Sequence, residues 1–256
     1  MKWEDGRDSQ NLEDRRGRGG GFNMGGRRSG GLPIGLITSL LGNKYGLIVV
    51  LGLAALSYCT GTNPLGALMG GTATQEASPS AQAPVNDEGS RFVSKILGST
   101  EDVWTQIFAA QNERYTPPKL ILFSGGTRSG CGQANSATGP FYCPADRQVY
   151  LDLDFFQELA NRFGAKGDFA QAYVIAHEVG HHIQHLMGNT DRVHSLQGRV
   201  SEAEYNQASV KLELQADCLA GVWAYHSQQQ LRWLEAGDVE EALNAANAIG
   251  DDTLQK

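Results

Sequence analysis

Apolar and polar positions change pattern three times along the chain. Residues 1–31 hold few large apolar side chains and show no period, which predicts a disordered Arg/Gly-rich tail, because too little surface can be buried to offset the entropy of ordering it. Two apolar runs follow, 32–42 and 45–61, broken by Asn43-Lys44. Extended through Cys59 to Met69, the second reaches the roughly 20 residues a membrane-spanning helix needs, so 32–62 is expected to be a transmembrane signal-anchor segment. Residues 63–90 lack any aromatic side chain and are rich in Ala, Ser, Thr, Gly and Pro, the composition of a flexible linker. From Arg91 to Lys256 the pattern is that of a folded domain.

Within that domain, Phe92, Ile96 and Leu97, then Val103, Trp104, Ile107 and Phe108, recur at helical spacing, with Ser99 or Thr100 as a cap before Glu101-Asp102. Pro117-Pro118 stops the helix, and residues 119–126 read as a strand ending in a turn. Short strands are expected near 140–143 and 148–152, then an amphipathic helix over 153–163. A further helix over 167–188 can be capped by Asp168 and closed by Gly188. Ser201 with Glu204 forms a capping-box pattern opening a long helix to about His226, and Asp238 with Glu241 repeats it for the last helix. The class this predicts is α+β, mainly helical.

Charge adds direction. The net charge is −7, yet up to Lys44 there are eight Lys/Arg against five Asp/Glu, and from Tyr45 to Ser90 there is no Lys or Arg at all. This asymmetry predicts a single-pass protein of the cytoplasmic (inner) membrane, N-terminus in the cytoplasm and the domain on the periplasmic or extracytoplasmic side. A cleaved signal peptide would have an unusually long lead, and lipidation at Cys59 would place Tyr58 where a small residue is required. An acidic domain argues against nucleic acid as partner. Cys131 and Cys143 lie twelve apart; outside the cytoplasm a disulfide between them is the first expectation, with two buried thiols as the alternative.

The chemistry concentrates in the 167–188 helix, at His177-Glu178-Val179-Gly180-His181. Positions i and i+4 share a helix face, so both imidazoles can reach one ion while Glu178 stands beside it, positioned to act as general base on an activated water. A catalytic zinc takes three protein ligands, and the next long helix offers Glu213-Leu214-Gln215-Ala216-Asp217. Glu213 is the expected third ligand and Asp217 the acceptor that orients a ligand imidazole; Ala216 is small enough to let the helices approach. His182 and His185 read as surface or packing residues. His194, His226, Tyr205 and Tyr225 are candidate transition-state donors. These residues together predict zinc-dependent hydrolysis of peptide or protein substrates. The alternative is a non-catalytic, zinc-stabilised envelope protein that binds partners, which would have no use for Glu178.

The order of segments resembles the bacterial neutral zinc metallopeptidase family of the YpfJ type. The resemblance rests on the N-terminal MKWEDGRDSQNLEDRRG, GGLPIG at 30–35, GPFYCPADRQVYLD at 139–152, AYVIAHEVGHHIQ at 172–184 and ELQADCLAGVWA at 213–224. It implies a membrane-anchored, zincin-like peptidase domain of the gluzincin kind, with His177, His181 and Glu213 on zinc and Glu178 as general base or acid. It also implies a continuation beyond the last helix carrying a further cysteine, a candidate partner for Cys218.

Overall fold

Strand β2 (Lys119–Phe123) explains the sheet around it. Leu120, Ile121, Leu122 and Phe123 are all buried, so both faces of the strand are covered, as expected of a strand with parallel neighbours. The computed structural model describes residues 1–16, 87–162 and 164–249. In it β2 lies between β1 (Leu12–Asp14) and β6 (Gln148–Asp152), parallel to both, and β5 (Phe141–Cys143) closes the far edge antiparallel to β6. The spatial order is β1-β2-β6-β5. A separate hairpin, β3 (Gly126–Ser129) with β4 (Gly132–Asn135), precedes β5, and the Cys131–Cys143 disulfide ties its turn to that edge strand.

Helices cover the other side. Helix α1 (Glu88–Ala110) opens three residues before the expected Arg91 and is capped by Asp87, whose carboxylate accepts from the Ser90 N–H. Ser99 and Thr100 do not cap a new helix. They sit within α1 and return their hydroxyls to the carbonyls of Ile96 and Leu97, which lets a polar pair be buried without a break. After α2 (Asp154–Asn161) comes α3 (Asp168–Leu186), buried on nearly every side, and the short α4 (Asn189–His194) beyond the left-handed Gly188. Helix α5 (Glu202–Leu231) opens with the Ser201/Glu204 capping box and buries only Ala216, Ala220, Trp223 and Ser227, one stripe at i, i+4, i+7 and i+11. Trp223 donates its indole N–H to the Ser99 hydroxyl at 2.9 Å, joining α5 to α1. The last helix is α6 (Asp238–Ile249). Glu241 does not cap it; its carboxylate accepts the Phe169 N–H at the start of α3 instead. Asp168 is likewise not a cap, since its carboxylate receives the Met1 ammonium at 2.9 and 3.0 Å.

The architecture is mixed α+β and mainly helical, with a core of Ile96, Leu97, Leu120, Leu122, Leu159, Val179 and Trp223 between sheet and helices. Residues 1–16 belong to it, which corrects the disorder expected there and a domain opening only at Arg91; the rest of the expected tail, 17–31, lies outside the described residues. The ladder to β2, and not an apolar period, holds this segment: Leu12, Glu13 and Asp14 pair with Leu120, Ile121 and Leu122. Trp3 packs edge-on against Phe92 at 5.3 Å, and Arg7 pairs with Glu101 and Asp102 at 2.7 and 2.9 Å. Gly98 makes room for the segment, because a Cβ there would lie 2.3 Å from the Arg7 carbonyl oxygen.

Among the described residues no helix is long and apolar enough to cross a membrane; the expected anchor over 32–62 and most of the linker over 63–90 lie outside them. The fold still constrains topology. Arg16 and Asp87 form an ion pair at 2.9 Å, so the chain leaves and rejoins the domain at one place. The β1–β2 ladder ties residues 1–16 to the domain. With Cys59 and Cys218 replaced by Ser, single cysteines at the exposed positions Gln10 and Glu113 should react with an impermeant maleimide from the same side of intact cells or vesicles. Labelling from opposite sides would contradict the pairing of β1 with β2.

Candidate metal centre

Helices α3 and α5 approach closely at Gly180 and Ala216. A Cβ on Gly180 would meet the Ala216 carbonyl oxygen at 3.0 Å and its Cα at 3.2 Å, so a larger residue would make the α5 backbone give way by a few tenths of an ångström. One turn before Ala216 on the same α5 face stands Glu213, which the contact brings to the two histidines of α3. His177 Nε2 and His181 Nε2 lie 3.1 Å apart, and Glu213 Oε2 is 3.3 and 3.4 Å from them. Zinc held tetrahedrally with bonds of 2.0–2.1 Å places its ligand atoms about 3.3 Å apart, so the spacing fits.

Protonation sharpens the fit. His177 Nδ1 is 2.9 Å from Asp217 Oδ1, and His181 Nδ1 is 2.9 Å from Gln184 Oε1. The orientation of the Gln184 amide is set by its nitrogen, which donates to the Leu212 carbonyl and to Gln215 Oε1. Both imidazoles therefore carry their proton on Nδ1 when neutral and turn lone pairs from Nε2 towards one another and towards a carboxylate. Three acceptors meet with no donor among them. Without an ion a proton is drawn in: His177 is raised to about 10, the bonds to Asp217 and Glu213 outweighing the burial that acts against it, and His181 is raised by Glu213 and Glu178, also against burial. Burial acts to raise Glu213, yet the two imidazoles take it well below the usual carboxylate range. His177, His181 and Glu213 are thus a set of residues that can hold one divalent cation. Asp168, Asp238 and Glu241 also converge, but there the Met1 ammonium already sits against Asp168 and, at 3.4 Å, Asp238.

Glu178 stands beside this triad and ligates nothing in it. It is 8% exposed; burial raises its pKa, partly offset by the His181 and His177 charges. The triad opens into a cleft of about 660 Å³ walled by Phe141, Tyr142, Phe155 and Tyr173, with His194 at its exposed rim. Of the expected transition-state donors only His194 reaches this cleft. Tyr205, Tyr225 and His226 do not line it, and the last two pair with each other at 5.2 Å. Three residues were overlooked. Tyr173 donates its hydroxyl to the Asp217 oxygen that also serves His177, and its place one turn before His177 could have revealed it. Gln184, one turn after His181, had the same signal. Tyr142 had none, because its link to the site is made through the tertiary fold. His182 is buried as a packing residue, and His185 lies near Asp191 at 3.9 Å.

A sheet-backed helix carrying two histidines and a glutamate at i, i+4 and i+1, with a carboxylate from a second helix, is the arrangement of a metallopeptidase centre. The chain matches, over residues 1–256, the family described as "Putative neutral zinc metallopeptidase", and it belongs to that family. It is 48% identical over 256 residues to the protein YpfJ of Escherichia coli (strain K12), covering all of this chain and 85% of that one. It is 40% identical over 188 residues to the protein Rv2575 of Mycobacterium tuberculosis (strain ATCC 25618 / H37Rv), covering 69% of this chain and 62% of that one. No solved structure matches it.

Replacing Asp217 by Asn should weaken zinc binding about 10–100-fold, because the charged acceptor that fixes the His177 tautomer becomes a neutral amide. The raised His177 pKa gives the pH dependence. In the metal-free protein its protonated form adds stability that is full below about pH 6.5 and lost as pH rises through about 10. Zinc must displace that proton, so its affinity should strengthen with pH over this window. Calorimetry at pH 7.5 in buffers of different ionisation enthalpy should show proton release on zinc binding, reduced in Asp217→Asn. No release from the parent protein would contradict the protonation scheme.

Proposed function

We propose that this protein is a zinc-dependent peptidase that hydrolyses peptide bonds with His177, His181 and Glu213 as metal ligands and Glu178 as general base. The observation that carries this reading is the meeting of two imidazole lone pairs and a carboxylate at 3.1–3.4 Å, with a fourth ionisable group, Glu178, buried beside them in an open cleft. Family membership supports the same reaction class. When bound, zinc supplies Lewis-acid polarisation of a carbonyl and acidifies water towards neutral pH.

The chain's own residues do the rest. Asp217, held by Tyr173, fixes the His177 tautomer, and Gln184 fixes that of His181, so both ligand nitrogens stay unprotonated towards the ion. Burial raises the Glu178 carboxylate above the usual range, closer to what a base near neutral pH requires. It accepts the proton of the attacking water and passes it to the departing amine. Phe141, Tyr142, Phe155 and Tyr173 give the substrate an aromatic wall. The disulfide suits an oxidising compartment, so in this reading the domain, residues 1–16 included, lies outside the cytoplasm. A zinc-stabilised binding protein would use the same ligands but give no role to a buried Glu178.

Glu178→Gln should keep one zinc per chain and lower turnover of a peptide library by about 10²–10⁴-fold. Parent-like turnover in that variant would remove Glu178 from the mechanism.

A further inference from the structure

Gly180 and Gln184 lie one turn apart on α3, and the residues they meet on α5, Ala216 and Leu212, lie one turn apart in the opposite sense. The two helices therefore run antiparallel along this seam. The Gly180 contact sets how closely the backbones approach, but such contact does little to stop one helix sliding along the other. A directional bond does. Gln184 Nε2 donates to the Leu212 carbonyl oxygen at 2.6 Å, a main-chain atom next to Glu213, while Gln184 Oε1 is 2.9 Å from His181 Nδ1. We propose that Gln184 is a positioning residue for two metal ligands at once: its oxygen orients His181, and its nitrogen fixes the register of α5 that delivers Glu213.

The surroundings of the amide enforce this double role. Gln184 is fully buried, so water cannot replace a lost partner. Its two amide hydrogens go to the Leu212 carbonyl and, at 3.1 Å, to Gln215 Oε1. Turning the amide over would set its N–H groups against the His181 Nδ1–H and its oxygen against the Leu212 carbonyl, so one orientation is favoured. Gln215 Oε1 also accepts from Asn189 Nδ2 at 3.1 Å, and Asn189 is the first residue of α4, whose Thr190 and His194 line the cleft. Amides from three helices thus converge behind His181. Tyr173 and Asp217 make the corresponding tie at His177, but both partners there are side chains, which can adjust as the helices move. The Gln184 bond reaches the main chain of α5, so α5 cannot slide without breaking it. A slip of one turn would carry Glu213 about 5.4 Å along the axis, out of reach of the ion that His177 and His181 share.

This role rests on the reading of His177, His181 and Glu213 as zinc ligands. The zinc affinity of the full chain, measured against a competing chelator, tests the two separately and without turnover. Glu213→Ala alone reports on the ligand reading, and parent-like affinity in it would sink that reading. Gln184→Met keeps the length of the side chain and removes every hydrogen bond of the amide. It should weaken zinc binding about 100-fold in the parent, but only about tenfold when Glu213 is already Ala and His177 and His181 alone remain, because the share carried through Glu213 is then gone. An equal loss in both backgrounds would show that Gln184 serves His181 alone and would overturn its part in the register. Gln215→Leu removes one acceptor of the amide and leaves the seam in place. It should weaken zinc about threefold in the parent and less in Glu213→Ala. If Gln184→Met does not fold, parent-like affinity in Gln215→Leu overturns the proposal. NMR of the zinc-loaded chain supplies the signature at His181: its Nδ1 proton should exchange with water about tenfold faster in Gln184→Met. Parent-like exchange of that proton would overturn the His181 half.

Discussion

The close contact of Gly180 with Ala216 is the constraint on which the rest of the molecule depends. Helix α3 is buried on almost all sides and has little freedom to shift, so whatever completes its histidine pair must come to it. Helix α5 does so along its buried stripe of Ala216, Ala220, Trp223 and Ser227, and Glu213 arrives because it continues the face that begins at Ala216. A Cβ on Gly180 would press on the Ala216 backbone at 3.0 and 3.2 Å and touch the Leu219 Cβ at 3.4 Å. The glycine of the His-Glu-Val-Gly-His run thus shapes the metal centre without touching it. Three acceptor atoms then lie within 3.4 Å of one another, an arrangement that is repulsive unless a proton or a cation sits among them.

The sheet serves this helix pair from the opposite side. Its middle strands are buried on both faces and bring β5 over α3, where Tyr142 and Phe141 become part of the cleft. Residues 1–16 extend the same sheet and reach the far end of the domain, where the Met1 ammonium meets Asp168 at the first turn of α3 and Asp238 at the first residue of α6. The helix that carries His177 and His181 is therefore held at its start by the N-terminal segment, in its middle by α5, and on its flank by the Tyr142 contacts. The proposed ligands inherit their geometry from elements distant in the chain.

Much of the site was legible because it is local or periodic. His177, Glu178 and His181 are placed by helix geometry alone, and Glu213 with Asp217 could be chosen because the same i, i+4 logic applies to α5. The order of helices and the strands at 119–123 and 148–152 followed from apolar periodicity and from Pro117-Pro118. What was missed lacks a local signal. Strand β1 contains one apolar residue, Leu12, and owes its structure to main-chain bonds with β2, so its sequence reads as a tail. Ser99 and Thr100 have the composition of a cap, but buried hydroxyls can instead be satisfied by the preceding turn of the same helix. His182 reads as a neighbour of the motif; its partners, the Thr116 carbonyl and the Tyr142 hydroxyl, lie 66 and 40 residues away.

The ligand set is the central claim, and X-ray absorption at the zinc edge of the purified full chain tests it most directly. His177, His181 and Glu213 predict one zinc per chain in a shell of nitrogen and oxygen only, at about 2.0–2.1 Å, with imidazole scattering from two histidines. The exposed thiol of Cys218 offers a contrasting signature. A sulfur shell near about 2.3 Å, or an unchanged spectrum when Glu213 is replaced by Ala, would show that the ion is held elsewhere.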